Sequence, residues 1–233
     1  TVIQDDRFTG ELPAVKQVAF AEILATAAEA INPVADFDLD KVTSIMYTSG
    51  TTGNPKGVMQ TFGNHFYSAV GSALNLGLTP DDVWLAAVPI FHISGLSIMM
   101  RSLIYGMGVS LYERFDVAKI NAELMAGQVT TISVVPVMLK QLLAQLPEGA
   151  KYHDRFRTML LGGGPTDLTT LEKATAAGIE IVQSYGMTET ASQVIALDAA
   201  RATQKLGSAG KPLFPVEVRI QKATDNDKVG RIQ

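Results

Sequence analysis

Short runs rich in Val, Ile and Leu alternate with helical patterns of about ten residues through most of this chain, and that alternation leaves few folds open. Extended runs are expected at Val83–Val88, closed by Pro89, and at Val109–Tyr112, Thr130–Val135, Thr158–Leu161 and Ile179–Gln183. Helical runs fall between them, over Leu96–Tyr105, Val117–Met125, Val137–Leu146 and Leu168–Ala177, with Gly178 past the end of the last. Strands of this composition bury both faces, and a strand–helix–strand order joins parallel neighbours. The expected fold is therefore α/β, a mostly parallel sheet flanked by helices. A strand at Val42–Met46 and a helix over Gly63–Leu76, ending near Gly77, precede this region.

The two ends read differently. Phe20, Ile23, Leu24, Ala27 and Ile31 stand at helical spacing before Asn32-Pro33, which predicts a peripheral amphipathic helix. Asp36, Asp38 and Asp40 alternate after it; without the glycine and distal glutamate of a calcium loop they read as solvated acids. From Lys211 the pattern changes to prolines and an alternating strand, Val216–Ile220, the expected start of a separate β element. Three regions result: a lead-in with its helix (1–40), an α/β subdomain (41–210) and the start of a β-barrel-like element (211–233).

In an open α/β sheet, ligands bind beyond the carboxyl ends of the strands, and the unusual sequence gathers there. Tyr47 to Gly57 (Y-T-S-G-T-T-G-N-P-K-G) follows the first strand and Pro89-Ile90-Phe91-His92 the second. Gly162-Gly163-Gly164-Pro165 follows a later strand and Ser184-Tyr185-Gly186-Met187-Thr188-Glu189-Thr190 the last. In the first cluster, glycines let backbone N–H groups turn toward an anion, hydroxyls add donors, and Lys56 adds a point charge that suits phosphate. The order Gly50-x-x-Gly53-x-x-Lys56-Gly57 fails the P-loop pattern, which needs Ser or Thr behind the lysine. On composition alone a flexible Gly- and Thr-rich linker stays open.

The other clusters carry two readings each. Tyr185 to Glu189 could stack a purine, donate to phosphate and hold magnesium, or could be a strand-to-helix turn capped by Thr188 with Glu189 at the helix start. The glycine cluster could be only a tight turn. Of the three histidines, His92 stands near a strand end, while His65 and His153 read as surface or packing residues.

Composition removes several classes. A net charge of −4 without basic runs argues against nucleic acid as a partner. The absence of cysteine removes disulfides, thiolate metal sites and cysteine nucleophiles. No apolar run reaches the roughly 18 residues of a membrane span, and no basic-then-apolar leader stands at the start, so the expected compartment is the cytoplasm. The composition leaves a homo-oligomer open.

The Tyr47–Gly57 stretch followed by Val58 resembles the phosphate-binding signature of the adenylate-forming enzymes: acyl- and aryl-CoA synthetases, peptide-synthetase adenylation domains and luciferases. That resemblance implies ATP-dependent activation of a carboxylate. Thr48, Ser49, Gly50, Thr51, Thr52, Gly53 and Lys56 would hold the ATP phosphates. Ser184, Tyr185, Gly186, Met187 and Thr188 would bind the adenine end and the α-phosphate, Glu189 would hold Mg2+, and Gly163, Gly164 and Pro165 would lie along the adenine. Phe91-His92 matches the family's aromatic–histidine pair lining the acyl pocket, which counts His92 with Thr188 and Glu189 as catalytic. No acid stands at that strand end, which disfavours the amino-acid substrates of peptide synthetases.

Within the family, Thr61–His65, Ser72–Leu78, Phe91–Arg101 and Gly207–Leu213 resemble the subfamily that ligates o-succinylbenzoate to CoA in menaquinone synthesis. Arg101 and Ser133 fall where that subfamily has its substrate-binding Arg and Ser. A buried pocket for an aryl acid that keeps a second carboxylate and a keto group needs such a cation and such a donor; for Arg101 a snorkelling surface arginine is the plainer alternative. The implied small-molecule partners are the aryl carboxylate, ATP and CoA. The resemblance further implies that this stretch is the central part of the family's large N-terminal domain. A ribose-binding Asp and a C-terminal lysine would lie beyond it, an apolar face would be uncovered, and the stretch alone would act as a nucleotide-binding module without turnover.

Overall fold

The computed structural model describes residues 2–4, 17–26, 34–49, 54–222, 224 and 230–232, and the chain divides into two units at Phe37/Asp38. In the first unit β1 (Val2–Gln4) pairs in parallel with β2 (Gln17–Ala19), which runs into α1 (Phe20–Ala25). The helix carries the expected Phe20, Ile23 and Leu24; Ala27 and Ile31 lie outside the described residues. Asp36, Asp38 and Asp40 are exposed, as expected of solvated acids.

The second unit opens with a departure from the expected order. Val42–Thr48 (β3) does not lead through the glycine loop into a helix: Lys56–Thr61 forms β4 and returns antiparallel to it. The two strands make a sheet of their own. The run Lys56 to Thr61 has no strand-like alternation of apolar residues, so the sequence concealed it. Thr61 then caps α2 (Phe62–Leu76): its hydroxyl accepts from Asn64 N at 3.2 Å, and the Asn64 side chain accepts from Thr61 N at 3.0 Å.

The remaining elements follow the predicted alternation. They are β5 (Val83–Ala86), α3 (Ile93–Tyr105), β6 (Gly108–Leu111), α4 (Val117–Met125), β7 (Thr131–Val134), α5 (Pro136–Gln145), β8 (Thr158–Leu161), α6 (Leu168–Ala176) and β9 (Ile181–Met187). The strands β5 to β9 are mutually parallel. β7 and β8 are buried at every residue, as Val/Ile/Leu runs covered on both faces must be. Leu85, Ile98, Ile120, Leu124, Ile132, Leu139 and Met159 are fully buried between sheet and helices; each such side chain contributes about 1.5–3 kcal/mol by leaving water.

Past β9 the structure again differs from expectation. Thr188–Thr190 is a single 3-10 turn, not a helix start, and it reverses the chain into the antiparallel strand β10 (Ser192–Leu197). Lys211–Pro212 (β11) pairs with β10 and so forms the edge of this sheet, whose order is β11-β10-β9-β8-β7-β5-β6. Of the strand expected over Val216–Ile220 only the end is extended: Ile220–Gln221 (β12) pairs with Arg231–Ile232 (β13).

The order places a topological switch between β5 and β7. From β5 the chain moves outward to β6, then crosses back over β5 to β7 and continues to β8 and β9. Connections leaving in opposite directions open a crevice at the carboxyl ends of β5 and β7. At the opposite end of these strands Asp82 is nearly fully buried. It accepts from Arg157 Nη2 at 2.6 Å and Nε at 3.0 Å, from Thr130 Oγ1 at 2.9 Å and from Thr79 N at 2.8 Å. Burial alone would raise its pKa. The Arg157 contact and the Thr79 and Thr130 hydrogen bonds outweigh it and hold the carboxyl at about 2.

Candidate active site

The crevice is a cavity of about 730 Å³. The carboxyl ends of β5, β7, β8 and β9, the start of α3, the hairpin β3–β4 and the turn Thr188–Thr190 all reach it. Thr48, Ser49, Lys56, His92, Arg101, Ser133, Gly163, Ser184, Gly186, Met187, Thr188 and Glu189 line it. Residues far apart in sequence, from several strand ends and from α3, therefore face one space. Gly50, Thr51, Thr52 and Gly53 lie outside the described residues, and Gly164, Pro165 and Tyr185 are not in the lining.

One end of the cavity is buried and polar. Arg101, on α3, is 2 % exposed, so the snorkelling alternative fails. Its Nη2 donates to Ser192 Oγ at 3.2 Å, Ser192 Oγ donates to Ser97 Oγ at 3.3 Å, and Ser97 Oγ donates to Ser94 O at 3.0 Å. Its guanidinium carbon stands 5.2 Å from the centre of the Trp84 ring, a cation–π contact, and Tyr105 also touches it. Nε has no hydrogen-bond partner among the described residues. Burial lowers the guanidinium pKa to about 10, partly offset by Tyr105, so the group stays charged at neutral pH. A buried cation with only neutral partners is costly, and an anion brought into the cavity would relieve that cost.

Ser133 is oriented by the same tryptophan. Trp84 Nε1 donates to Ser133 Oγ at 3.0 Å, which occupies an acceptor position of the hydroxyl and leaves its proton free to donate. The chain's one tryptophan thus touches both Arg101 and Ser133. Ser192 carries φ 106 and Ala191 φ 51, a pair of left-handed non-glycine residues where the chain turns from the 3-10 turn into β10. Such strain persists only where surrounding structure fixes it, and here it holds the hydroxyl that meets Arg101.

The other end is open. Ser49, Lys56 and Glu189 are exposed, Thr48 and Thr188 half-buried. Gly186 needs to be glycine for a packing reason: a Cβ there would stand 2.0 Å from Ser192 O on the neighbouring strand. Gly163 has φ 80, which turns the chain after β8 along the cavity wall. His92 precedes α3 with its ring 4.6 Å from that of Phe91. Among the described residues there is no group of three or more His, Cys, Asp or Glu side chains. A hard cation at Glu189 would therefore take most of its oxygens from phosphate and water, as magnesium does, and the donor set fits that ion.

Several site residues escaped the sequence reading. Trp84 lay inside a buried strand and read as core; its being the sole tryptophan was the one available signal. Ser97 and Ser192 carried none. Of the two readings left for His65, surface or packing, the structure bears out packing: it is buried, with Nε2 3.0 Å from Ser44 Oγ, and burial lowers its pKa below the ordinary value.

The family of AMP-binding enzymes matches residues 2–232. A 2-succinylbenzoate–CoA ligase of Geobacillus sp. (strain WCH70) is 51% identical over 222 residues, covering 95% of this chain and 45% of that protein. The o-succinylbenzoate coenzyme A synthetase MenE of Bacillus subtilis in complex with ATP and magnesium aligns at 46% identity and TM-score 0.85, covering 94% of this chain and 46% of the synthetase. The same enzyme in complex with the acyl-adenylate intermediate OSB-AMP aligns at 47% identity and TM-score 0.84, covering 94% of this chain and 44% of the other. The chain thus spans a little under half the length of these relatives.

Proposed function

The chain belongs to the family of AMP-binding enzymes, and from that premise we propose that its cavity serves to activate o-succinylbenzoate as an acyl-adenylate for transfer to CoA. One observation carries the reading: a fully buried, charged Arg101 with an unused Nε lines the same cavity as Lys56, Thr188 and Glu189. Arg101 would take the carboxylate that is not activated, and Ser133, held by Trp84, would donate to the same arm of the substrate. His92 would border the ring. Residues 41–210, with Lys211–Pro212 at the edge of their sheet, would form the ATP-binding part and the residues after them the start of a β element, in a protein of the cytoplasm, where ATP and CoA are available.

The reacting carboxylate attacks the α-phosphorus of ATP, a P–O bond forms, and pyrophosphate leaves. The CoA thiol then gives up its proton and adds to the acyl carbon, the bond from that carbon to the phosphate oxygen breaks, and AMP leaves. The first step is a problem of position and charge. Thr48, Ser49 and Lys56 would hold the leaving phosphates and Thr188 the α-phosphate, while Glu189 would orient a bound magnesium ion. That ion supplies charge neutralisation on the phosphates.

The test is pyrophosphate release by the full-length protein over a carboxylate panel with ATP and magnesium. Release is expected to be fastest with o-succinylbenzoate, and addition of CoA should yield its thioester. Equal release with benzoate, or a preference for amino acids, would overturn the substrate assignment.

A further inference from the structure

The hairpin β3–β4 carries Thr48, Ser49 and Lys56 into the cavity yet shares no ladder with the seven-stranded sheet. A two-stranded ribbon is marginal by itself, and its outward side chains, Ile45, Tyr47 and Met59, are all exposed. Something else must set where this ribbon stands relative to the turn bearing Thr188 and Glu189. The inward face supplies it. Gln60 is 1 % exposed, and its Nε2 donates to the Thr188 carbonyl at 2.7 Å across 128 residues of sequence. Its Oε1 accepts from the hydroxyl of Ser44, its cross-strand partner, at 2.8 Å.

The direction of this chain is fixed by proton count. A serine hydroxyl has one proton, and Ser44 gives it to Gln60, so at 3.0 Å from His65 Nε2 it must accept. His65 therefore carries a proton on Nε2, and burial, which lowers its pKa, favours the neutral ring; donors run one way from His65 through Ser44 and Gln60 to the Thr188 carbonyl. Flipping the Gln60 amide would set an oxygen against that carbonyl. The Ser44–Gln60 pair belongs to the same ladder as Thr48–Lys56, so a register slip that moved Lys56 would also break the link to Thr188.

We propose that Gln60 is a positioning residue for the triphosphate: by tying the hairpin to the Thr188 carbonyl it sets the spacing between Lys56 on one side and Thr188 and Glu189 on the other. The proposal rests on the phosphate-binding reading of this end of the cavity, and the experiment separates the two. Calorimetry on the full-length protein gives affinities for magnesium-ATP and for adenosine, which reaches neither Lys56 nor Glu189. If the wild type shows no preference for magnesium-ATP, or if Lys56→Ala leaves that preference intact, the phosphate reading itself fails.

With those controls met, Gln60→Met should weaken magnesium-ATP binding roughly tenfold, the effect of about one lost hydrogen bond in a buried setting, with adenosine affinity unchanged. Gln60→Glu should do the same, because a carboxylate can still accept from Ser44 but cannot donate to the Thr188 carbonyl. Ser44→Ala leaves Gln60 in place with one end free; a smaller change of the same ratio is expected, and it provides the measurement if Gln60→Met does not fold. Parallel loss of both ligands, or an unchanged ratio, in whichever of these variants folds would overturn the proposal.

Discussion

The two ends of the cavity are built in opposite ways. Trp84, Arg101 and Ser133 come from β5, α3 and β7, elements of the parallel core, and all three are buried. Ser49, Lys56 and Glu189 come from a detached hairpin and a single 3-10 turn, and all three are exposed. At the first end a guanidinium is fixed in place before any ligand arrives, with the cost of its burial already met by the fold. At the second, the side chains stand in water. Selectivity between acids should therefore come from the rigid end, and the response to ATP and magnesium from the open one.

The sharpest way to break this contrast is Arg101→Met. It should cost o-succinylbenzoate roughly 2–4 kcal/mol in kcat/KM, since the second carboxylate would be left unpaired in a buried site. Benzoate should lose far less. Because the variant removes a half-partnered buried cation, its melting temperature should be no lower than that of the wild type. Equal losses for both acids would make Arg101 a structural residue.

At the open end, Lys56→Ala should lower ATP affinity by roughly 1.5–3 kcal/mol, the size of a charge-assisted contact. Thermal stability should not change, because the side chain is exposed. A clear drop in melting temperature would show that the open end also supports the fold.

The contrast also explains what could be read from the sequence. Strands that must be buried on both faces announce themselves, so β5, β7 and β8 and the helices between them were legible to within a residue or two, except the start of α3, which lies at Ile93 where Leu96 was expected. The cavity was legible too, because special residues at strand ends converge in an open α/β sheet. The hairpin partner Lys56–Thr61 was not. Its most deeply buried residue, Gln60, is polar, and the apolar Met59 points out, which inverts the usual alternation of a half-buried strand. The turn at Thr188 looked like a helix start because Thr and Glu suit a helix N-terminus; the return of the chain as β10 depends on the left-handed Ala191 and Ser192, which no local preference announces. His65, Ser97 and Ser192 owe their place to contacts across the fold, and polar residues of that kind carry no periodic signal.

A third experiment asks whether the rigid half depends on the far end of the sheet. The Asp82 carboxyl, at about 2 in the folded protein, lies below its ordinary value of 3.8. A depressed folded pKa adds stability that is complete above the unfolded value and is lost as pH falls, here from about pH 4 to about pH 2. The loss should be about 2 kcal/mol. Denaturant titrations across that window should show it, and Asp82→Asn should remove the dependence while leaving ATP affinity at neutral pH unaltered. An Asp82→Asn protein that still loses stability over the same window to the same extent would place the titrating group elsewhere.

The smallest expected effect tests how finely the rigid end is organised. Ser133→Ala should cost o-succinylbenzoate about 1 kcal/mol in kcat/KM, one neutral hydrogen bond, while benzoate changes little. Trp84 touches both Ser133 and Arg101, and Trp84→Phe separates the two contacts: it deletes the N–H that orients Ser133 but keeps an aromatic face beneath the guanidinium. If the tryptophan acts through Ser133, the double variant Trp84→Phe/Ser133→Ala should be no worse toward o-succinylbenzoate than Ser133→Ala alone, because the second change removes an orientation that no longer matters. If its role is to support Arg101, the two losses should add, as they do for groups that act independently. Additive losses would mean that Ser133 contributes without being oriented by the tryptophan, whose own role would then be the support of Arg101.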